Sequence, residues 1–198
     1  VTKLRCNSKK RALFLDRDGV VNKEVYYLSS PDQFELINGV GNAIHQLNLA
    51  GILVVIVTNQ PIIARGELNN FGLRIIHNKM DTLLALEKAY IDHIYFCPHH
   101  PDQGFKGEVE SLKIECKCRK PQPGLLLQAA QEMGISLQDS WLVGDRTADL
   151  LAGKCAGVKT ILVKTGYAGK DGKYFVKPDF IVDNLSKAVD LVLNDGNN

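Results

Sequence analysis

The chain has 198 residues, with 24 Lys and Arg against 22 Asp and Glu, a formal charge of +2, 45% hydrophobic and 23% charged residues. This is the composition of one globular domain with a sizeable core, and the near-balance of charge removes any general electrostatic case for nucleic acid or membrane as a partner. No apolar run approaches the about 18 residues of a membrane span and no charged-then-apolar leader is visible, so a cytoplasmic location is expected.

In chain order, residues 1–11 carry Lys3, Arg5, Lys9, Lys10 and Arg11 and read as a solvated basic arm, with 12–198 as a single domain. The first compact apolar run is Ala12–Leu15. Val40, Ala43, Ile44 and Leu47 then repeat at helical spacing. Leu53–Val57 is the second strand, a helix follows over Asn70–Leu86, and His93–Phe96 is the third strand. From Pro98 to Pro123 neither period is visible, and a loop of that length inside a compact domain needs something to hold it. Helical spacing returns at Leu126, Ala129, Ala130 and Met133. Trp141–Val143, Thr160–Val163 and Phe180–Val182 are strands, with helices at Thr147–Ala156 and Leu185–Leu193. The strand runs are apolar throughout, as in strands covered on both faces. Such alternation predicts an α/β fold, a doubly wound parallel sheet with right-handed crossovers. The stretch between Asp18 and Thr58 holds only one loop and one helix, so no large cap domain is expected.

Ligands of an open parallel sheet bind at the carboxyl ends of its strands. Here those ends read Asp16-Arg17-Asp18-Gly19, Thr58-Asn59-Gln60, Cys97-Pro98-His99-His100 and Gly144-Asp145-Arg146. Asp16 can attack phosphorus as a carboxylate nucleophile. Asp18, two residues on, can protonate the departing oxygen and later deprotonate water. Thr58 can donate a hydrogen bond to a phosphoryl oxygen, and Lys120 can neutralise its charge. Asp16 and Asp145 offer hard oxygen ligands for Mg²⁺, with Asp149 one helical turn further on. Phosphoryl transfer needs positioning and charge stabilisation, and this set supplies both.

Cys97, His99, Cys116 and Cys118 form two short ligand pairs separated by a loop, a complete set for structural Zn²⁺. The spacing from Cys97 favours His99 over His100. With no open position left, the zinc would staple the loop within 97–118, and Cys118 is followed directly by Arg119 and Lys120. Cys6 and Cys155 stand alone and read as idle thiols.

In their order, Asp16-Arg17-Asp18-Gly19-Val20, Thr58-Asn59-Gln60, Arg119-Lys120-Pro121 and Gly144-Asp145-Arg146 with Asp149 resemble the four motifs of haloacid-dehalogenase phosphatases. Within that superfamily the chain is similar to the heptose-bisphosphate and histidinol-phosphate phosphatases. The resemblance implies Asp16 as nucleophile, Asp18 as general acid and base, and Thr58 and Lys120 as phosphoryl stabilisers. It implies Asp16, the Asp18 carbonyl and Asp145 as Mg²⁺ ligands, and a zinc loop at the cysteines. It also implies substrate contacts from Glu24, Tyr27, Asn59, Gln60, Arg119, Lys120 and Arg146. The expected substrate is a small phosphorylated sugar, a heptose 1,7-bisphosphate cleaved at C7, turned over by a monomer without nucleic-acid or membrane partners. Two departures bear on the substrate: Pro61-Ile62 replaces a frequent Ser-Gly, and Arg146 replaces a frequent Lys, which favours histidinol phosphate as the alternative. A nucleic-acid end phosphatase is disfavoured by the charge balance and the lack of aromatic stacking clusters. A non-catalytic zinc-stapled module is disfavoured because every carboxylate is present.

Overall fold

The computed structural model describes residues 10–195. Six strands, β1 (Ala12–Leu15), β2 (Leu53–Asn59), β3 (His93–Cys97), β4 (Trp141–Gly144), β5 (Lys159–Val163) and β6 (Phe180–Val182), form one sheet. Their order is β3-β2-β1-β4-β5-β6, and every neighbouring pair is parallel. The helices are α1 (Val40–Leu49), α2 (Pro61–Ala64), α3 (Asn70–Leu86), α4 (Gly124–Met133), α5 (Thr147–Ala156) and α6 (Leu185–Asn194).

Alternate residues of each strand feed opposite faces, the period-2 rule of a pleated strand. Leu13, Leu15, Val54, Ile56, Trp141 and Val143 pack with α1, α3 and α6 on one side. Phe14, Val55, Val57 and Leu142 pack with Leu125, Leu126 and Ala129 of α4 and Ala152 of α5 on the other. With both faces covered, β1, β4 and the body of β2 read as unbroken apolar runs, while β6, at the sheet edge, keeps an apolar run although Phe180 and Ile181 are exposed.

The structure adds several corrections. β2 continues to Asn59 because β3 pairs with it as far as Asn59 opposite Cys97. The short α2 was not foreseen: four residues carry no period, and Pro61 opens it at a position that needs no N–H. At the end of the stretch expected as an arm, Lys10 pairs with the body of the domain. Residues 1–9 lie outside the described residues, but the Lys10 N–H donates to the Gly134 carbonyl (3.0 Å) and the Lys10 carbonyl accepts from Ser136 N–H (2.9 Å). Lys10 and Arg11 are thus stitched to the α4–β4 connection. Segment 98–123 carries one 3₁₀ turn, Glu110–Leu112, and no other helix or strand.

β1 and β4 are adjacent, and from them the chain winds outward in opposite directions. This is the topological switch point, where the connections diverge and leave a crevice. Asp16 follows β1 and Asp145 follows β4.

Candidate active site

The Asp16 N–H donates to the Val143 carbonyl at 3.0 Å, extending the ladder one residue past β1 and bringing the two strand ends together. Gly19, at φ +80°, turns the chain back over Asp145, and Gly166, at φ +60°, closes from the other side. A Cβ at either glycine would collide with the Asp145 carboxylate. Tyr167 N–H donates to Asp145 Oδ2 at 2.7 Å. Asp145 Oδ1 has no hydrogen-bond partner although it is buried.

Asp16, Asp145 and Asp149 each offer a carboxylate oxygen within 4.8 Å of the others, and all three are buried. Burial raises the Asp16 carboxyl to about 6; Lys120 pulls it down while Asp149 and Asp18 push it up. Burial again, with the charges of Asp149 and Asp16, lifts Asp145 to about 8. A carboxylate cluster of this kind is short of positive charge, and the orphaned Asp145 oxygen marks where a hard cation fits.

Among the described residues, Lys120 is the cation placed inside it. Its Nζ lies 3.0 Å from Asp16 Oδ1 and 2.6 Å from Asp149 Oδ1, and donates to the Val57 carbonyl at 2.7 Å. Its backbone is gripped from both sides by the Asn59 amide: Nδ2 donates to the Lys120 carbonyl and Oδ1 accepts from the Lys120 N–H, each at 3.0 Å. Asp149 is held in turn by the Arg146 N–H (3.0 Å) at the start of α5.

Asp18 faces a different set. Burial alone would raise its carboxyl, but Arg17, Asn22 and Gln60 hold it below its ordinary value. Gln60 Nε2 donates to Thr58 Oγ1 (2.9 Å) and to Asp18 Oδ2 (3.1 Å), leaving the Thr58 hydroxyl its own proton to give. Of the expected substrate contacts, Glu24, Tyr27, Asn59, Arg119, Lys120 and Arg146 line one cavity of about 810 Å³, together with Asp16, Asp18 and Thr58. Gln60 is not on its wall; it is buried, with its amide spent on Thr58, Asp18 and Arg17.

Cys97, His99, Cys116 and Cys118 converge. The three sulfurs are 3.2–3.5 Å apart, and His99 Nδ1 is 3.6 Å from Cys97 Sγ and 3.3 Å from Cys118 Sγ. His100 stands outside this four-donor set, its Nδ1 accepting from the Asp102 N–H. The set could hold a metal ion. Arg119 N–H donates to Cys116 Sγ at 3.3 Å and its guanidinium to the His99 carbonyl at 3.1 Å, so the loop fixes Arg119 at the cavity wall.

Several wall residues had no signal in the sequence. Arg65 is sandwiched between the rings of Tyr27 and Phe105, 4.3 Å from each centroid. Tyr167 carries the Arg146 guanidinium at 3.8 Å, while Arg146 pairs with Glu24 at 2.9 Å. Asp171, Lys173 and Tyr174 complete that side; Asp171 accepts from the Thr147 N–H and hydroxyl. This 165–174 loop begins two residues past β5 but carries no recognisable motif or period, and its residues reach the site only through tertiary contact.

A HAD-hydrolase-like family model matches residues 117–188. The chain is 42% identical over 185 residues to D-glycero-beta-D-manno-heptose-1,7-bisphosphate 7-phosphatase of Pasteurella multocida (strain Pm70), covering 92% of this chain and 97% of that one. It is 40% identical to the protein of that name in Escherichia coli (strain K12) over 184 residues, 92% of this chain and 88% of that one. Among solved structures, it is similar to the D,D-heptose 1,7-bisphosphate phosphatase of B. bronchiseptica in complex with magnesium and phosphate. That match has a TM-score of 0.82 and 34% identity over 93% of this chain and 99% of the other.

Proposed function

The chain belongs to the heptose-bisphosphate phosphatase family of haloacid-dehalogenase-like hydrolases and is a phosphoric monoester hydrolase; we propose that it removes the C7 phosphate of D-glycero-beta-D-manno-heptose 1,7-bisphosphate, with Asp16 as nucleophile. The observation that carries this reading is the shared cavity: its wall has the carboxylates and Lys120, and also further cations, Arg65, Arg119, Arg146 and Lys173. A substrate with one phosphate to lose and another to keep needs both.

In this reading an Asp16 carboxylate oxygen attacks phosphorus as the phosphorus–oxygen bond to the sugar breaks; Asp18, ionised in the free site, takes up the proton that the phosphate monoanion brings in and gives it to the departing alkoxide. Asp18 then takes a proton from water as that oxygen attacks the aspartyl-phosphate, releasing phosphate, freeing the Asp16 carboxylate and leaving Asp18 protonated again. Thr58 and Lys120 hold the phosphoryl oxygens. Asp16, Asp145 and the Asp18 carbonyl would hold Mg²⁺, for which the orphaned Asp145 oxygen is a fitting ligand; when bound it neutralises charge between nucleophile and phosphate. Cys97, His99, Cys116 and Cys118 would hold Zn²⁺ as a closed staple. A cytoplasmic setting accords with the described cysteines, 97, 116, 118 and 155, forming no disulfide.

Phosphate release measured over both heptose bisphosphate anomers, histidinol phosphate and common sugar phosphates tests the substrate. The beta-heptose should lead the others in kcat/KM by at least about tenfold; a lead for histidinol phosphate would transfer the assignment to it.

Elemental analysis of protein purified without chelator should find about one zinc per chain, the number a single four-donor site holds. Mild chelation should stop turnover, and Mg²⁺ alone should restore it while the zinc stays bound. Protein without zinc would remove the staple.

A pH dependence of stability follows from Asp145. Its folded value of about 8 lies above the ordinary 3.8, so the proton it retains favours the folded state. That contribution is fully present below 3.8 and is lost as pH rises through about 8. Bound Mg²⁺ would favour the ionised form, so the rise in melting temperature on adding Mg²⁺ should be larger at pH 8.5 than at pH 6. An equal shift at both would show that Asp145 is not a ligand.

A further inference from the structure

Arg17 stands between the two carboxylates of the first motif, is 0% exposed, and has no part in the steps above. Its guanidinium is nonetheless fully engaged. Nε donates to Asp18 Oδ1 at 3.2 Å, and NH2 reaches both Asp18 oxygens at 2.9 Å. NH2 also donates to Gln60 Oε1 at 3.2 Å. The remaining end, NH1, meets Nε2 of His77 at 3.3 Å. His77 belongs to α3, outside every strand-end motif.

We propose that His77 is a positioning residue: it anchors the far end of the Arg17 guanidinium, and that rigid fork sets the orientation of the Asp18 carboxylate at the cavity wall. For NH1 to donate, Nε2 must carry a lone pair, so the ring is neutral with its proton on Nδ1. Burial, and then the charge of Arg17, bring His77 down to about 4, which keeps it neutral at physiological pH. His77 is 9% exposed and its ring stands edge-on to Phe96, centroids 6.5 Å apart, so it has little room to turn.

The guanidinium is planar, so its two ends cannot move independently. Without an acceptor at NH1, a buried donor is left unmet where water does not reach, and the plane tilts to find another. The attraction between Arg17 and Asp18 would survive such a tilt; the geometry of the Asp18 oxygens would not. Proton donation depends on that geometry.

This inference rests on the role of Asp18 as proton donor, and leaving-group chemistry separates the two. Benzyl phosphate expels an alkoxide that needs a proton, whereas p-nitrophenyl phosphate expels a stabilised phenolate that does not. kcat/KM, which reports the steps up to release of the alcohol, is measured on both for His77→Phe, His77→Gln and Asp18→Asn in the Mg²⁺-replete enzyme.

His77→Phe should lose about tenfold on benzyl phosphate, a part of the ~10²–10⁴-fold that general acid catalysis supplies, and several-fold less on p-nitrophenyl phosphate. His77→Gln, whose carbonyl can accept at the place of Nε2, should recover most of the loss. Equal losses on both substrates for His77→Phe, or no recovery in His77→Gln, would mean that His77 only fills space and would overturn the proposal. If Asp18→Asn shows the selective loss and His77→Phe does not, the proposal falls and the role of Asp18 stands. If Asp18→Asn shows no selective loss, the role of Asp18 falls and takes the proposal with it.

Discussion

Asp16→Asn is expected to reduce turnover by at least about 10⁴-fold, the scale on which removing a covalent nucleophile acts, while circular dichroism reports an unchanged fold. The amide is nearly the same size and keeps an acceptor for Lys120 Nζ, now 3.0 Å from Asp16 Oδ1. What it lacks is the negative charge and the lone-pair basicity to form an acyl-phosphate. The measurement is a phosphate-release assay in saturating Mg²⁺, with trapping of the phosphorylated wild type as a companion. Activity within tenfold of wild type would defeat the nucleophile assignment.

Lys120→Ala should lower kcat by about 10²–10³-fold on every phosphoester, the range for losing one preorganised electrostatic contact to a transition state. Its effect on stability should also be large. Lys120 is buried and compensates Asp16 and Asp149 together, and stripping one partner from a buried ion pair costs about 3–5 kcal/mol. The sign with pH follows from Asp16, which burial already raises to about 6 and which Lys120 restrains from rising further. In the variant that restraint is gone, so the folded state prefers a protonated Asp16 over a wider range. Stability should therefore fall as pH rises from 6 to 8, more steeply than in the wild type. Melting curves at the two pH values check this, and a variant as stable as wild type at pH 8 would show that the carboxylates do not depend on Lys120.

The wall of the cavity shows how far local pattern reaches. In Thr58-Asn59-Gln60, alternation along a strand separates the middle residue from its neighbours. Thr58 and Gln60 accordingly bond to each other, while Asn59 turns to the Lys120 backbone. Sequence could name all three residues as belonging to the site. It could not say that Gln60 would face Asp18 and Arg17, because Gln60 lies just past β2 and meets them only where two segments over 40 residues apart pack together.

The strands, most helices, the parallel sheet and the residues at the strand ends were legible because each is encoded within a few neighbouring residues. Apolar runs mark strands covered on both faces, 3.6-residue spacing marks helices, and the topology of a doubly wound sheet sends strand ends to one side. Tertiary structure alone decided which polar groups meet. Glu24 pairs with Arg146 across 122 residues, Thr165 Oγ1 binds the Gly19 carbonyl across 146, and His77 reaches Arg17 across 60. Hydrophobic periodicity is indifferent to these pairings, since a polar residue at a loop or on a partly buried helix face satisfies the pattern whatever its partner. Their geometry is set by the crossover of loops above the sheet, a property of the packed whole.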